Sequence, residues 1–384
     1  MTAGPATSST LKEMNLRAVL GVIRTGRPIS RAEVARRTGI SKPTVSALLQ
    51  DLLEMGLVAE TAHADPGSPT YGALFFAPRP EAAYVLALDM GARRLRGVLA
   101  DLEGEVRVRR DVAVGGLDAP RMVAAAAELA DELAAEAEIP RDALRHAVVG
   151  VPGVVDVRDG RIWQATNVPA LDGFPLDAVA EALGLPVTVE NDIHLAALGE
   201  RWRGAGRGVA DFAFVSIGTG VGSGLVLRGE LHRGHAGAAG ELDSALDPAT
   251  FDANDACAHA LMAYAETVGE VPGPRPLTPE HVFALARDGD EAALAVVDEE
   301  ARRICHYLAP LAAVVDVELV VLGGGIGLNG DLLLGRVAER LAARVPYPPR
   351  LEVAALGDAA VLTGAVAVGT REALESILTA RFRR

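Results

Sequence analysis

Residues 30–56 read SRAEVARRTGISKPTVSALLQDLLEMG, and they spell two short helices joined by a tight turn. Ser30 and Glu33 have the spacing of a capping box, in which the Ser hydroxyl accepts the backbone N–H three residues on and the Glu reaches back. Val34 and Ala35 give this first helix a small apolar face. Gly39 supplies the left-handed backbone that a sharp stop needs. Ser41 then caps a second helix, with Pro43 in its first turn, where a missing N–H does no harm. Val45, Leu48, Leu49, Leu52 and Leu53 follow at the spacing of one buried face. Lys42, Thr44, Ser46, Ala47 and Gln50 are left on the other. In a helix-turn-helix the second helix offers its N-terminal residues to base edges. Gln50 is suited to adenine, and Lys42 to guanine or a phosphate. The expected DNA-contacting set is Arg31, Ser41, Lys42, Pro43, Thr44, Ser46 and Gln50. A helical hairpin inside a core is the structural alternative; cap, turn and cap at this spacing favour DNA.

The flanks complete a winged helix. Leu16, Val19, Leu20 and Ile23 recur at helical period within Leu11–Ile23, the first helix of a three-helix core, which Gly26 is expected to stop. Residues 1–9 are small and polar and read as a disordered tail. After Gly56, the apolar segments Leu57–Glu60 and Ala73–Phe76 flank the turn formers ADPGSP, as the strands of a wing would. The tip of that wing lacks Arg and Lys, so it is expected to add little phosphate affinity. APRP at 77–80 suits neither helix nor strand and reads as a linker. The expected division is a tail at 1–9, a winged helix-turn-helix at 10–76, a linker at 77–81 and a second domain at 82–384.

Bulk properties agree with that division. The chain has 384 residues, half of them apolar, enough for two or three domains with a sizeable core. No apolar run reaches the roughly 18 residues that span a bilayer, and the N-terminus lacks a basic-then-apolar leader pattern. A cytoplasmic protein with no membrane partner is expected. Cys257 and Cys305 stand apart, in neither a CxC nor a CxxC arrangement, and read as buried free thiols. The net charge is −14, yet residues 1–60 hold eight basic against five acidic side chains. A basic module on an acidic body fits a small DNA reader carrying a large non-DNA domain.

The second domain repeats a plan. Tyr84–Leu88 reads as a strand, Asp89-Met90-Gly91 as a turn, Arg94–Ala100 as a returning strand and Leu102-Glu103-Gly104 as a second turn. About 130 residues on, Phe212–Ile217, Gly218–Gly222, Gly224–Leu227 and Arg228-Gly229-Glu230 follow the same order. The repeat predicts a duplicated, two-lobed body whose hairpin tips face a cleft. Between the hairpins, helical and strand segments alternate: a helix at Pro120–Glu138, strands at His146–Val151 and Pro186–Val189, helices at Ile193–Glu200 and Glu291–Val315, and a strand at Glu318–Leu322. That alternation marks an α/β domain.

Chemistry concentrates at a few points. GTGVGSG from Gly218 is either a phosphate cradle or a hairpin loop needing positive φ. Gly323-Gly324-Gly325 offers either close packing or room for a nucleotide base. Glu190-Asn191-Asp192 ends a strand, where α/β proteins place ligands. An Asn beside an Asp suits a polyol, since the amide donates and accepts while the carboxylate accepts from two hydroxyls. In a kinase that carboxylate would also take the proton of the attacking hydroxyl. The alternative role for this pair is to cap the helix beginning at Ile193. Glu241, in AGELD, is either a solvated loop acid or a ligand contact brought close by the Gly- and Ala-rich run before it.

Taken together, LKEMNLRAVL, ISRAEVARRTGISKPTVSALLQDLLEMGLV, VVGVPGVVD, Asn167 within ATNVPALDGFPL, VENDIHLAALGE, SIGTGVGSGLVLRGELHRGHAGAAGEL and VVLGGGIG resemble, in order and spacing, the ROK family (repressors, open reading frames and sugar kinases) in its repressor form. The resemblance runs from about Leu11 to about residue 370. It implies a winged helix joined to a two-lobed, actin-like/hexokinase-like (ribonuclease-H-like) domain. It implies that Asn167, Asn191, Asp192 and Glu241 match sugar-contacting positions, and that Asp192 matches the base of the kinase members. Two departures bear on activity. Where the kinases carry DxGGT, this chain has Asp89-Met90-Gly91-Ala92-Arg93, placing a long cation where a bare loop should meet phosphate. Where many members carry ExGH and a cysteine cluster holding zinc, Asp243 replaces the His and Cys257 stands alone, too few ligands for zinc.

The reading is a sugar-responsive transcription regulator, most simply a repressor. It would bind a pseudo-palindromic operator as a dimer or higher homo-oligomer. A sugar or sugar phosphate would bind at Asn167, Asn191, Asp192, Glu241 and Asp243, with no cofactor, no structural zinc and no efficient phosphotransfer. The competing readings are an ATP-dependent sugar kinase with a DNA-binding head, and a regulator whose cleft has lost its ligand.

Overall fold

The structure, a computed structural model, describes residues 8–25, 28–62, 74–245, 249, 251–268, 271–273 and 275–382. The head comprises α1 (Ser8–Ile23), β1 (Ile29–Ser30), α2 (Arg31–Thr38), α3 (Lys42–Glu54), β2 (Val58–Ala62) and β3 (Leu74–Pro78). The three strands form a sheet in the order β1-β3-β2, so β2 and β3 are the wing. Its tip, with ADPGSP and Ala73, lies outside the described residues, as do Gly26 and residues 1–7. Helix α1 begins at Ser8, inside the stretch expected to be a disordered tail. Ser30 accepts from the Glu33 N–H at 3.3 Å. The other half of the expected capping box is not made, because the Glu33 carboxylate turns instead to Arg36 and Arg37. Gly39 ends α2 at φ 71°, and Ser41 accepts from the Thr44 N–H at the start of α3.

The stretch at 77–81 is no free linker. Ala77 and Pro78 pair with Ala59 and Val58 at the end of β3, beyond the short β1, where a proline is tolerated. The Arg79 N–H donates to the Leu57 carbonyl, and Pro80 opens a single 3₁₀ turn. Backbone hydrogen bonds at Arg79, Pro80 and Ala82 thus hold the chain where it enters the body.

The first lobe contains β4 (Tyr84–Met90), β5 (Arg94–Asp101), β6 (Val106–Ala113), α4 (Ala119–Glu136), β7 (Leu144–Val151), β8 (Val154–Asp156), β9 (Arg161–Trp163), α5 (Leu176–Leu183) and β10 (Val187–Asn191), followed by α6 (Asp192–Arg203). The second contains β11 (Phe212–Ile217), β12 (Val221–Leu227), β13 (Glu230–His232), α7 (Phe251–Asn254), α8 (Ala258–Ala265), α9 (Pro279–Arg287), α10 (Glu291–Val315), β14 (Leu319–Gly323), α11 (Gly324–Gly327), α12 (Gly330–Ala342) and β15 (Arg350–Val353), followed by α13 (Ala360–Phe382). Their main sheets run β6-β5-β4-β7-β10 and β13-β12-β11-β14-β15. In each, three antiparallel strands continue into two parallel ones. The expected duplication is thus present strand for strand. Asp89 and Met90, expected in a turn, instead extend β4, and the turn is Gly91–Arg93.

The two closing helices exchange lobes. Helix α6 follows the first sheet but packs on β11 and β12; α13 follows the second but packs on β4 and β7. They cross where Gly199 meets Gly364. A Cβ on Gly364 would sit 1.8 Å from the Leu195 carbonyl oxygen, so only glycine permits this approach.

Helix α13 then runs on to the head. Leu16, Val19, Leu20 and Ile23 of α1 share one buried cluster with Leu374 and Leu378 of α13 and with Val85 and Ala100 of the first lobe. Arg17 pairs with Glu375. Arg24 pairs with Glu103 at 2.7 Å, and Arg381 near the end of α13 meets Asp51 and Glu54 of α3 at 2.7 and 2.8 Å. Apolar burial supplies the adhesion here, while these partly exposed ion pairs fix orientation.

Candidate functional sites: a DNA-reading helix and an interlobe cleft

On α3, Val45, Leu48, Leu49 and Leu52 are buried and Leu53 is half-buried, so the helix is seated as its periodicity requires. Ser41, Lys42, Pro43, Thr44 and Gln50 are exposed, Ser46 is half-buried, and Arg31 is exposed at the start of α2. Six of the seven side chains expected to contact DNA therefore lie on α3 or at its N-cap, and the seventh, Arg31, is exposed on α2. Glu33 pairs with Arg36 and Arg37, whereas Arg31 and Lys42 have no ion partner among the described residues.

Between the lobes lies a pocket of about 430 Å³ lined mostly by polar atoms. It draws Asn167 from the loop after β9, Asn191 and Asp192 from the junction of β10 and α6, and Glu241 and Asp243 from the segment after β13. All five expected effector contacts thus meet in one cavity. Asn191 also serves as the helix cap foreseen as its alternative role. Its Oδ1 accepts from the His194 N–H and its Nδ2 donates to the Gly153 carbonyl, both at 2.9 Å. Asp192 accepts from the Ile193 N–H at 2.9 Å. Desolvation, with the nearby Asp89 charge adding to it, pushes the Asp192 carboxyl up to about 7. Burial likewise raises Glu241, and raises Asp243 although Tyr307 donates to it at 3.0 Å.

Behind these residues stands a network that sequence reasoning missed. The buried Glu190 carboxylate meets His194 Nδ1 at 3.0 Å and Arg233 Nε at 2.6 Å, while His194 Nε2 faces the Ala239 carbonyl at 3.2 Å. Burial works against ionisation of Glu190, but the hydrogen bond from His194 and the Arg233 guanidinium hold it below the usual range. These contacts tie the Gly234–Gly240 segment, and with it Glu241, to α6. Only the four-residue spacing of Glu190 and His194 was visible beforehand.

The glycine loops prove to be packing devices in part. None of Gly218, Gly220, Gly222 and Gly224 has positive φ, which removes the expectation that the loop demands it. A Cβ on Gly224 would lie 2.8 Å from Ala197 and 2.9 Å from the Ile193 carbonyl, so it lets α6 approach β12. Gly324, at φ 76°, similarly abuts the Ile217 carbonyl, whereas Gly325 faces open space. At the first loop Ala92 and Arg93 are exposed, and Arg96 pairs with the buried Asp89 at 3.2 Å. Burial still raises the Asp89 carboxyl despite that arginine. Where zinc ligands were expected to be missing, Asp243 holds Tyr307 and the Cys257 thiol donates to Asp255 at 3.0 Å. Among the described residues, no three His, Cys, Asp or Glu side chains gather as a metal-ligand group.

A winged-helix head fixed to a duplicated α/β body with a polar interlobe cleft defines a DNA-reading protein built on a sugar-kinase-like domain. Residues 85–372 match the ROK family and residues 17–67 the MarR family, and the chain belongs to the ROK family. The xylose repressor of Caldicellulosiruptor bescii is 25% identical over 389 residues, covering 93% of this chain and 96% of the repressor. The glucokinase of Halalkalibacterium halodurans is 33% identical over 254 residues, covering 58% of this chain and 76% of the kinase. Among solved structures, a ROK family transcriptional regulator described as a homolog of the E. coli MLC protein aligns with a TM-score of 0.80 over 97% of this chain and 99% of that one. Its identity is 21%, so that likeness is one of fold. No helix among the described residues is long and apolar enough to cross a membrane.

Proposed function

We propose that this chain is a sequence-specific DNA-binding regulator that represses carbohydrate-related genes and responds to a sugar or sugar phosphate in its interlobe cleft. The observation that carries the reading is the physical continuity of the two sites. Helix α6 starts at Asn191 and Asp192 in the cleft, crosses α13 at Gly199 and Gly364, and α13 ends with Arg381 against Asp51 and Glu54 of the reading helix. Closure of the lobes on a ligand shifts α6 against α13 and so alters the seating of the head. A coupling of about 1–3 kcal/mol is enough for a 5- to 150-fold change in operator affinity.

In this reading Arg31, Ser41, Lys42, Pro43, Thr44, Ser46 and Gln50 contact DNA, and Asn167, Asn191, Asp192, Glu241 and Asp243 hold the ligand. The protein works in the cytoplasm as a homodimer or higher oligomer on a pseudo-palindromic operator. It needs no structural zinc, because Tyr307 and Asp255 take up Asp243 and Cys257. Binding of duplex from the protein's own upstream region, altered by one sugar of a panel, is the supporting result; indifference of specific DNA binding to every sugar defeats the sensor half.

One observation favours a second reading, an ATP-dependent sugar kinase. A carboxyl pushed up to about 7 is well matched to a general base. Against it stand Ala92 and Arg93 in the phosphate loop and the engagement of Asp89 by Arg96. ADP release over a sugar panel, abolished by Asp192→Asn, would establish the kinase.

A further inference from the structure

We propose that the groove between the head and the body is a second ligand site, built for a small organic anion with an apolar body. Its volume, about 720 Å³, exceeds that of the interlobe pocket and falls in the range of small-molecule sites. Its walls are α1 of the head and α6 and α13 of the body. The floor is apolar: Leu20, Leu198, Val368, Leu374 and Leu378 line it, each no more than 9% exposed.

The rim is cationic on a chain whose net charge is −14. Arg17, Arg24, Arg201 and Arg371 line the groove with a single carboxylate, Glu375. Arg17 takes up Glu375, and Arg24 is held by Glu103 and the Leu102 carbonyl. The other two are weakly committed. Among the described residues, Arg201 finds only Glu230 at 3.9 Å, and the exposed Arg371 only its neighbour Glu372 at 3.2 Å. Exposed pairs of this kind contribute little and exchange readily. A free guanidinium grips a planar carboxylate, or a sulfonate, through paired N–H donors.

Gly21 is the second observation. It sits in the last turn of α1 on the groove wall, where glycine is a poorer helix former than alanine. A Cβ there would meet nothing within 4 Å, so no close neighbour requires the glycine. What its missing side chain preserves is the open mouth of the groove.

The test uses the full chain and 1-anilinonaphthalene-8-sulfonate, an apolar anion whose fluorescence reports binding, beside its uncharged relative N-phenyl-1-naphthylamine. The expected result is one saturable site for the sulfonate, weakened about tenfold or more by the Arg201→Glu, Arg371→Glu double substitution. Gly21→Phe, which fills the mouth without touching a charge, is expected to weaken it as well. Charge reversal at the remote Arg121 leaves it unchanged, and the uncharged dye binds far less tightly. Non-saturating binding, equal binding of both dyes, binding that survives both groove variants, or an equal loss on Arg121→Glu would each overturn the proposal.

Discussion

Asp192→Asn separates the charge of the cleft carboxyl from its shape. Asparagine keeps the oxygen that accepts the Ile193 N–H, so the N-terminus of α6 stays capped. What changes is ionisation. In the unfolded chain this carboxyl titrates near 3.8, in the folded protein at about 7. The folded state therefore holds a proton that the unfolded state has lost, and stability falls as pH rises through that window. At about 1.4 kcal/mol per tenfold step the cost above pH 7 is bounded at about 4 kcal/mol. Water reaching the half-buried carboxylate reduces it to about 1–3 kcal/mol. The Asn variant should accordingly melt higher than the parent by about 2–5 °C at pH 8, and the gap should shrink by half or more at pH 5. The same substitution should weaken sugar binding, since a charge-assisted hydrogen bond contributes about 1.5–3 kcal/mol, or roughly 10- to 150-fold. Thermal melts at the two pH values and calorimetric titration with the responding sugar measure both effects. An Asn variant that gains nothing at pH 8, gains equally at pH 5, or binds sugar as the parent does would refute the reasoning.

Other substitutions probe the remaining parts. Gln50→Ala should cost about 1–3 kcal/mol on the preferred operator and relax specificity at one base, whereas Lys42→Ala should weaken all sequences alike and lower the salt slope by about one, both read by anisotropy. Gly39→Val should destabilise the head by about 1–2 kcal/mol through its left-handed backbone alone, since a Cβ there touches nothing within 4 Å; urea denaturation measures it. Arg233→Met removes one of the two side-chain partners of the buried Glu190 carboxylate; that guanidinium is partly exposed and His194 stays in place, so a loss of about 1–3 kcal/mol with weaker sugar binding is expected. Stability equal to the parent would show that the network does not hold the Gly234–Gly240 segment.

Local rules carried the head well. Ser30, Gly39 and Ser41 act within three or four residues of themselves, so caps and turn were legible, and the hairpin repeat exposed the duplication. Longer range was the obstacle. Glu190 and Arg233 are 43 positions apart, and the crossing of Gly199 with Gly364 depends on helices that exchange lobes. Asp89 opposite Arg96 could have been found, because a turn at Gly91–Arg93 sets that register. APRP was misread for the opposite reason: the local rule against proline yielded to pairing of Pro78 with Val58. At GTGVGSG, composition alone cannot separate a phosphate cradle from glycines that admit α6 to β12. Asn167, Asn191, Asp192 and Glu241 were placed by resemblance, and Asp243 by standing where the family carries a His; the geometry adds that Asn191 is cap and pocket wall together.

The most direct test of the central claim is fluorescence anisotropy of the full chain on duplex from its own upstream region, at two salt concentrations, with and without a sugar panel. Specific binding that survives the higher salt and that one sugar shifts by about 5- to 150-fold is expected. Weak binding erased by salt on every duplex, together with sugar-dependent ADP release, would contradict it.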